Sequence, residues 1–473
     1  MSPGQTLWRE ADARTIELLE GTMTDTPRSV TISTKRQRIA ELARQAPEMS
    51  FTNLAHHIDI EWLHAAYSAT RKDGAVGIDG QTAEGYAADL EKNLGTLLNR
   101  LKSGLYRAPA VRRVHIPKGV GGKTRPIGIP TFEDKVLQRA VTMVLESVYE
   151  QDFLDCSYGY RPGRSAHQAL ETLWQQTMSM HGGWVIDLDI QGFFEALDHK
   201  HLRSFLDQRV RDGVLRRAIG KWLKAGVMEE GRWRRGETGT PQGGVISPLL
   251  ANVYLHHVLD KWFATEVQSR LQGRSFMVRF ADDVVIVVEQ ERDAQRLMEV
   301  LPKRLARYGL TMHPTKSRLV DFRAPRKRWG ENGDDDPPPG AFDFLGFTHY
   351  WGRTRKGGWA VKRKTAKDRF RRSLRAIYRW CRYNRHRPIA EQHALLIRKL
   401  KGHRDYYGLR GNSRSLQIFR YRALLAWQKW LNERSQKPSM PQYRFWHLLL
   451  GRYPVPWLTL IPPARQRVAK LPT

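Results

Sequence analysis

Residues 276–288 read FMVRFADDVVIVV. An apolar, β-branched run leads into two adjacent carboxylates, Asp282 and Asp283, and a second such run leads out. Val and Ile suit a pleated, half-buried backbone. The pattern therefore predicts a strand, a tight turn at Ala281-Asp282-Asp283, and a second strand. Paired acids between buried strands are expensive to desolvate unless something cationic neutralises them. A hard divalent ion with oxygen ligands, such as Mg²⁺, would do so. Aspartate is also common in solvated hairpin turns, and this stretch alone leaves both readings open.

A second stretch, WVIDLDIQGFFEALDH (184–199), carries more acid. Asp187 and Asp189 stand two apart on a predicted strand and share one face of it. A carboxylate from this strand meeting Asp282 and Asp283 would complete a three-acid cage for two Mg²⁺ ions. Such a cage activates an attacking 3′-oxygen and stabilises a leaving pyrophosphate. An isolated strand Asp is otherwise a cap or an ion pair. GTPQGGVISPLLANVYLHHVLDKWF (239–263) adds a Gly/Pro-rich loop and then a helix from Ser247-Pro248. In that loop Gln242 offers donor and acceptor, and Gly243 permits close backbone approach.

Basic elements surround these acids. VRRVHIPKGVGGKTRPIGIP (111–130) reads as a β-hairpin with Lys118, Lys123 and Arg125 beside its turn. It would clamp a triphosphate, although exposed hairpins carry such residues without that role. SYGYRPGRSAHQAL (157–170) interleaves Tyr158, Tyr160, Arg161 and Arg164 ahead of a helix capped near Ser165. That mix suits stacking on a nucleic-acid strand and binding its phosphates. Lys316 stands at a helix-to-strand junction, where it could act near a leaving pyrophosphate or simply be a surface lysine. The DDD run at 334–336 reads as a solvated loop, and FDFLGFTHYW (342–351) as a strand pair.

The 473 residues carry 79 Lys+Arg against 48 Asp+Glu, a net charge of +31, which points to a polyanionic partner. Residues 361–473 hold 28 basic and 4 acidic residues, a surplus of 24 within that +31. Helices rich in Arg and aromatics are expected from Val361 to about Leu450, with apolar residues at core spacing. The remaining faces would bind structured RNA or a duplex. Arg371, Arg372, Lys401, Arg404, Tyr406 and Tyr407 are the candidates there, beside Tyr158, Arg161 and Arg164. Residues 1–50 read as a flexible lead-in with one short helix. From Phe51 a helix is expected, with Leu54, Ile58, Trp62 and Ala66 on one face. The two cysteines, Cys156 and Cys381, form no metal-binding spacing and suit a reducing, cytoplasmic setting. No stretch reaches the length of a membrane span, so no membrane partner is expected.

Taken in order over about residues 51–450, the chain resembles the group II intron-encoded reverse transcriptases, also called maturases. The resemblance rests on RPIGIPTFEDKVLQRAV, SYGYRPGRSAHQAL, the Asp189 strand, GTPQGGVISPLLANVYL, FADD, GLTMHPTKS and FDFLGF. It continues through LKGHRDYYGLRGN and WLNERSQ. It implies an α+β right-hand polymerase, with fingers and an antiparallel palm sheet over 51–355. An α-helical thumb or maturase X domain would follow over 356–450, and then a short basic tail, 451–473. Asp189, Asp282 and Asp283 would be the catalytic acids that bind two Mg²⁺. Phe194 matches the aromatic gate against a ribose 2′-hydroxyl, which favours dNTPs. Lys123, Arg125, Gln242, Gly243 and Lys316 would surround the dNTP, and GIDGQT (77–82) would grip the template.

Two features depart from the family pattern. The double-Asp motif begins with Phe280 where Tyr is usual, which removes one hydroxyl. No Cys-pair and His-Asn-His segment follows residue 450, so the DNA endonuclease domain of many relatives is expected to be absent. The function implied is an RNA-directed DNA polymerase that also binds its intron RNA and assists splicing and mobility. Its partners would be group II intron RNA, RNA template, DNA primer or target, and dNTPs, with a homodimer left open. The alternatives are an RNA-binding splicing cofactor with little polymerase activity, or a domesticated reverse transcriptase serving the host or its defence.

Overall fold

The computed structural model describes residues 26–117, 124–229, 232–234, 243–325, 340–435 and 440–461. The chain divides into two units that interleave in sequence. The first holds residues 1–154, 191–262 and 306–310, and the second holds 155–190, 263–305 and 311–473.

Helices dominate the first unit. At its centre Phe132–Tyr149 is buried on almost every side, which its Val, Leu and Met content allows. Thr131 caps it by accepting a hydrogen bond from the Asp134 amide. A four-stranded sheet runs in the order Thr124–Ile129, Val111–Pro117, Val227–Glu229, Arg232–Arg234. Its outer pairs are antiparallel hairpins, and its middle pair, Val111 with Val227, is parallel.

Two expectations for this unit change. Residues 26–45 form a helix longer than the short one expected in the lead-in. Ile39 and Ala43 are buried, and Arg209 donates to the carbonyls of Ala43, Ala46 and Met49 at 2.7–2.9 Å. A cation at the C-terminal end of a helix satisfies its orphan carbonyls and complements its dipole. The helix expected from Phe51 is instead a 3₁₀ turn, Ala55–His57, and a helix, Ile60–Ser68. Asp59 divides them, because its extended backbone and side chain cap Trp62 at 2.9 Å. Leu54, Ile58, Trp62 and Ala66 are nonetheless all buried.

The second unit is built on a four-stranded antiparallel sheet in the order Ser275–Phe280, Asp283–Val288, Trp184–Leu188, Arg318–Asp321. The Asp283–Val288 strand is central, and Val284 through Val288 are each at most 1% exposed. Each such side chain contributes about 1.5–3 kcal/mol on burial. The helix Ala166–Ser179 supplies Ala169, Leu170 and Leu173 to the same core. A second antiparallel sheet joins Phe342–Phe344, Phe347–Arg353 and Trp359–Thr365.

Val361–Thr365 is therefore strand, where helical character was expected from Val361. Val361, Arg363 and Thr365 point inward in strict alternation, a period of two that the dense basic residues conceal. Helices Lys367–Asn384, Ile389–Tyr407 and Ser413–Asn432 then enclose a separate core around Leu396, Leu400, Phe419 and Trp427. Among the described residues no helix is long and apolar enough to cross a membrane.

Candidate active site

The double-aspartate hairpin closes in two residues, since Phe280 pairs with Asp283. Ala281 adopts φ +58°, the left-handed region that alanine disfavours. Buried partners hold it there. Arg279, wholly inside, donates to the Ala281 carbonyl at 3.0 Å and to Ser157 Oγ at 2.7 Å. Residues 156–158 run along the same strand: Arg279 N donates to the Cys156 carbonyl at 2.7 Å, and Tyr158 N to the Arg279 carbonyl at 2.9 Å. Gly159 follows, and a Cβ there would sit 2.3 Å from the Ala281 nitrogen, so only glycine lets the two segments touch.

The strand register explains how the acids meet. The ladder ends at Leu188 and Val284, and Asp189 follows directly on one strand while Asp283 directly precedes on the other, near enough for the Asp189 charge to act on Asp283. Like charges close together across a strand pair are destabilising. Asp283 opens on a cleft, but protein crowds its other sides. Burial, then the charges of Asp282, Asp189 and Asp187, push its pKa up to about 6. Asp187 is also raised by burial, against the pull of Arg318, whose Nε lies 3.2 Å away. Asp189 is gripped from behind: Ser317 Oγ and His313 N donate to its carbonyl at 3.1 and 2.8 Å. In front, Lys316 Nζ lies 3.2 and 3.1 Å from its two carboxylate oxygens.

This donor set suits a hard cation. It offers carboxylate oxygens, and their mutual repulsion adds to the burial that raises Asp283. Among the described residues, no three Asp, Glu, His or Cys side chains already converge into a ready-made metal site. Asp187, Asp189 and Asp283 share a cleft of about 540 Å³ with Lys316, whereas Asp282, half-buried in the hairpin turn, is not part of its lining. Its far wall comes from residues that the sequence did not single out: Asp343, the turn Leu345-Gly346, Asp368 and Arg369. Leu345 and Gly346 both have positive φ, +47° and +77°, as a two-residue hairpin turn requires. Tyr406 and Tyr407 complete that wall, and the Tyr406 hydroxyl donates to the Leu345 carbonyl at 2.9 Å. Burial raises the pKa of both phenols, that of Tyr406 to about 12. Only the sequence separation of these pieces hid them; Asp343 follows the first Phe of FDFLGF in plain view.

The remaining candidates fall in several places. Tyr158 is buried with its hydroxyl 2.8 Å from Thr172 Oγ1, and Arg161 is buried and donates to the Ser157 carbonyl at 2.8 Å. Both brace the segment beside the hairpin turn. Arg164 pairs with Asp155 at 2.5 Å. Arg371, Arg372 and Lys401 are exposed on the C-terminal helices, and Arg404 pairs with Asp405 at 2.8 Å. The first unit holds Arg125, exposed on its strand, and Phe194, buried edge-on to Phe193. Gly243, φ +119°, abuts Ile127 and Gly128 of the Arg125 strand so closely that a Cβ would clash at 2.6–2.7 Å. Lys118, Lys123, Gln242, the 334–336 acid run and the tail beyond 461 lie outside the described residues.

Five acids, Asp187, Asp189, Asp283, Asp343 and Asp368, thus line one cleft beside an antiparallel sheet. Residues 116–349 match the family described as reverse transcriptase (RNA-dependent DNA polymerase). The chain is 38% identical over 232 residues to the group II intron-encoded protein LtrA of Lactococcus lactis subsp. cremoris, covering 48% of this chain and 37% of that protein. It is 34% identical over 290 residues to protein YkfC of Escherichia coli K12, covering 54% and 76%. It is 30% identical over 147 residues to nuclear intron maturase 4, mitochondrial, of Arabidopsis thaliana, covering 31% and 18%. The match thus spans little more than a third of the length of the Lactococcus protein. The chain belongs to the group II intron-encoded reverse transcriptase and maturase family.

Proposed function

We propose that this chain is an RNA-directed DNA polymerase that also binds a group II intron RNA and assists its splicing and mobility. The observation that carries the reading is the pair of like charges, Asp189 and Asp283, just beyond the last strand pair Leu188–Val284 and lining one cleft. A fold that maintains such repulsion, with an alanine strained at the turn, sacrifices stability for a charged ligand. In this reading the four-stranded sheet of the second unit is the palm of a right-hand polymerase, and the C-terminal helices are its thumb.

Two Mg²⁺ bound by Asp189, Asp282 and Asp283 would activate the primer 3′-oxygen and neutralise charge on the leaving pyrophosphate. Lys316, already beside Asp189, places a further positive charge where that pyrophosphate departs. Phe194, rigid against Phe193, walls off a ribose 2′-hydroxyl and selects dNTPs. Arg125 takes the triphosphate, and the exposed Arg371, Arg372 and Lys401 take RNA phosphates.

The test is primer extension on an RNA template with Mg²⁺, comparing dNTPs with NTPs, for the wild type and Asp282→Ala/Asp283→Ala. Extension with dNTPs alone, lost in the variant, is expected. No incorporation by the wild type beside an active control polymerase would overturn the reading in favour of an RNA-binding splicing cofactor.

A further inference from the structure

The first unit buries a chain of hydrogen bonds that runs from a helix to a loop. Asp134 and Gln138 stand one turn apart on Phe132–Tyr149 and are only 2% and 3% exposed. A buried carboxylate and a buried amide are each costly unless they are paired. One oxygen of Asp134 accepts from the Tyr106 hydroxyl and from Trp222 Nε1 at 2.7 Å, and the other accepts from Gln138 Nε2 at 3.0 Å. A carboxylate only accepts, so it fixes which way the Gln138 amide faces. With its NH₂ on Asp134, the amide turns its oxygen to the Ile246 N–H, which donates to it at 3.3 Å.

Ile246 immediately precedes the helix Ser247–Leu255, and its own side chain offers no acceptor. Gln138 therefore does from another helix what the glutamate of a capping box does from its own: it ties down the amide at the helix entrance. The loop running back from that point is tight. Ser247 N donates to the Gly244 carbonyl at 3.3 Å, and Gly243 meets the strand Thr124–Ile129. A Cβ at Gly243 would lie 2.6 Å from the Gly128 carbonyl oxygen and 2.7 Å from Ile127 Cγ2. Among the described strands this one lies at the edge of its sheet, bonded on one side only, so its outer contacts decide how firmly it is held. Ile127 and Arg125 are two residues apart and share a face of it. Gly243 thus braces the face from which Arg125 projects.

We propose that Gln138, oriented by Asp134, is a positioning residue for substrate binding: through Ile246 and Gly243 it sets the strand that carries Arg125 against the incoming triphosphate. The inference rests on the polymerase reading and deepens it, since it concerns how the triphosphate is held. Gln138 itself touches no substrate. Its loss frees the Ile246 amide, lets the loop drift from Ile127 and Gly128, and spreads Arg125 over more orientations. A misplaced guanidinium forfeits part of its charge-assisted bond to phosphate. The carboxylates stand on a different sheet and keep their geometry. The effect therefore falls on dNTP affinity and spares the chemical step. It also gives a role to two polar residues of a helix whose sequence reads simply as core.

The experiment uses the full chain with an RNA template, a DNA primer and Mg²⁺. Single-turnover incorporation over a range of dNTP concentrations separates the apparent dNTP dissociation constant from the maximal rate. Gln138→Met keeps the volume and removes both hydrogen bonds. It should raise the dissociation constant about three- to tenfold, the scale of a lost hydrogen bond, and leave the maximal rate within about twofold. A mere loss of folded enzyme lowers the amplitude alone, and that result overturns the assignment. Asp134→Asn turns one NH₂ toward that of Gln138 and should weaken affinity to a similar degree. Asp134→Asn/Gln138→Glu reverses donor and acceptor, restores both bonds, and should return affinity to within about twofold of the wild type. This reciprocal pair decides the matter even where Gln138→Met does not fold. In an Arg125→Gln background, Gln138→Met should add less than about twofold, because the guanidinium it positions is gone. Wild-type affinity in both single variants, a reciprocal pair that restores nothing, or losses that add to that of Arg125→Gln would each overturn the assignment and leave the polymerase reading in place. A wild type that incorporates no dNTP beside an active control polymerase overturns both.

Discussion

Ala281 at φ +58° is the residue on which the site turns. Glycine would adopt that conformation freely, and alanine holds it at roughly 1–2 kcal/mol of strain. Ala281→Gly should therefore raise stability slightly, by up to about 1 kcal/mol after the added unfolded-state entropy is subtracted. DNA synthesis should fall, because the turn carrying Asp282 loosens. Denaturant unfolding alongside primer extension checks both; a loss of stability would contradict the strain account. Asp134 in the first unit makes the opposite use of a buried acid. It accepts from Tyr106, from Trp222 Nε1 at 2.7 Å and from Gln138 at 3.0 Å, yet burial still pushes its pKa up to about 6. The folded state holds this proton more tightly than the unfolded chain does. Its contribution is therefore present below about pH 4 and fades as pH rises to about 6. Melting temperature should decline across that window, and Asp134→Asn should flatten the decline. An unchanged slope in the variant would assign the titration elsewhere. None of this was legible in the sequence: one turn φ and one acid's burial depend on partners far along the chain.

At the scale of elements, reading by pattern succeeded where the period was clean. The two strands about Asp282-Asp283 and the strand carrying Asp187 follow from their β-branched runs, although that strand ends at Leu188 and leaves Asp189 just beyond it. The paired strands Val111–Pro117 and Thr124–Ile129 were likewise legible. It failed where charge masked periodicity, as at Val361–Thr365, and where a cap interrupts a helical spacing, as at Asp59. It also underestimated the helix Thr26–Gln45, whose own pattern is weak and whose anchoring comes from Arg209, more than 160 residues away. Arg209 binds Asp152 at 2.8 Å as well as the helix end. Breaking a buried pair leaves an uncompensated charge, at about 3–5 kcal/mol. Arg209→Met should therefore release the helix, and limited trypsin digestion should cut first among Lys35, Arg36 and Arg38. A digestion pattern equal to the wild type would show that the helix is held by its apolar face alone.

Across the whole molecule, charge and chemistry are divided along the sequence. The helices Lys367–Asn384, Ile389–Tyr407 and Ser413–Asn432 carry exposed cations such as Arg371, Arg372 and Lys401 around a core built from Leu396, Leu400, Phe419 and Trp427. The acids sit on a sheet whose interior is Val284–Val288 and Val185. Because different cores support the two, removing the carboxylates should leave RNA binding in place. Composition announced a polyanionic partner, and motif order announced the family. Neither could locate Arg369, Asp343 or Tyr407 in the cleft, because those residues reach it only through the pairing of the second sheet.

The most direct measurement of the central claim is a paired assay on one preparation of Asp282→Ala/Asp283→Ala: RNA affinity as a function of salt, and dNTP incorporation on an RNA-templated primer. The account predicts an RNA affinity and salt slope within about twofold of the wild type, with incorporation reduced by at least a factor of about 10³, as expected when a charge-stabilising group is removed from a reacting centre. Incorporation that survives the double substitution would contradict it, because DNA synthesis would then owe nothing to the acids around which the chain is folded.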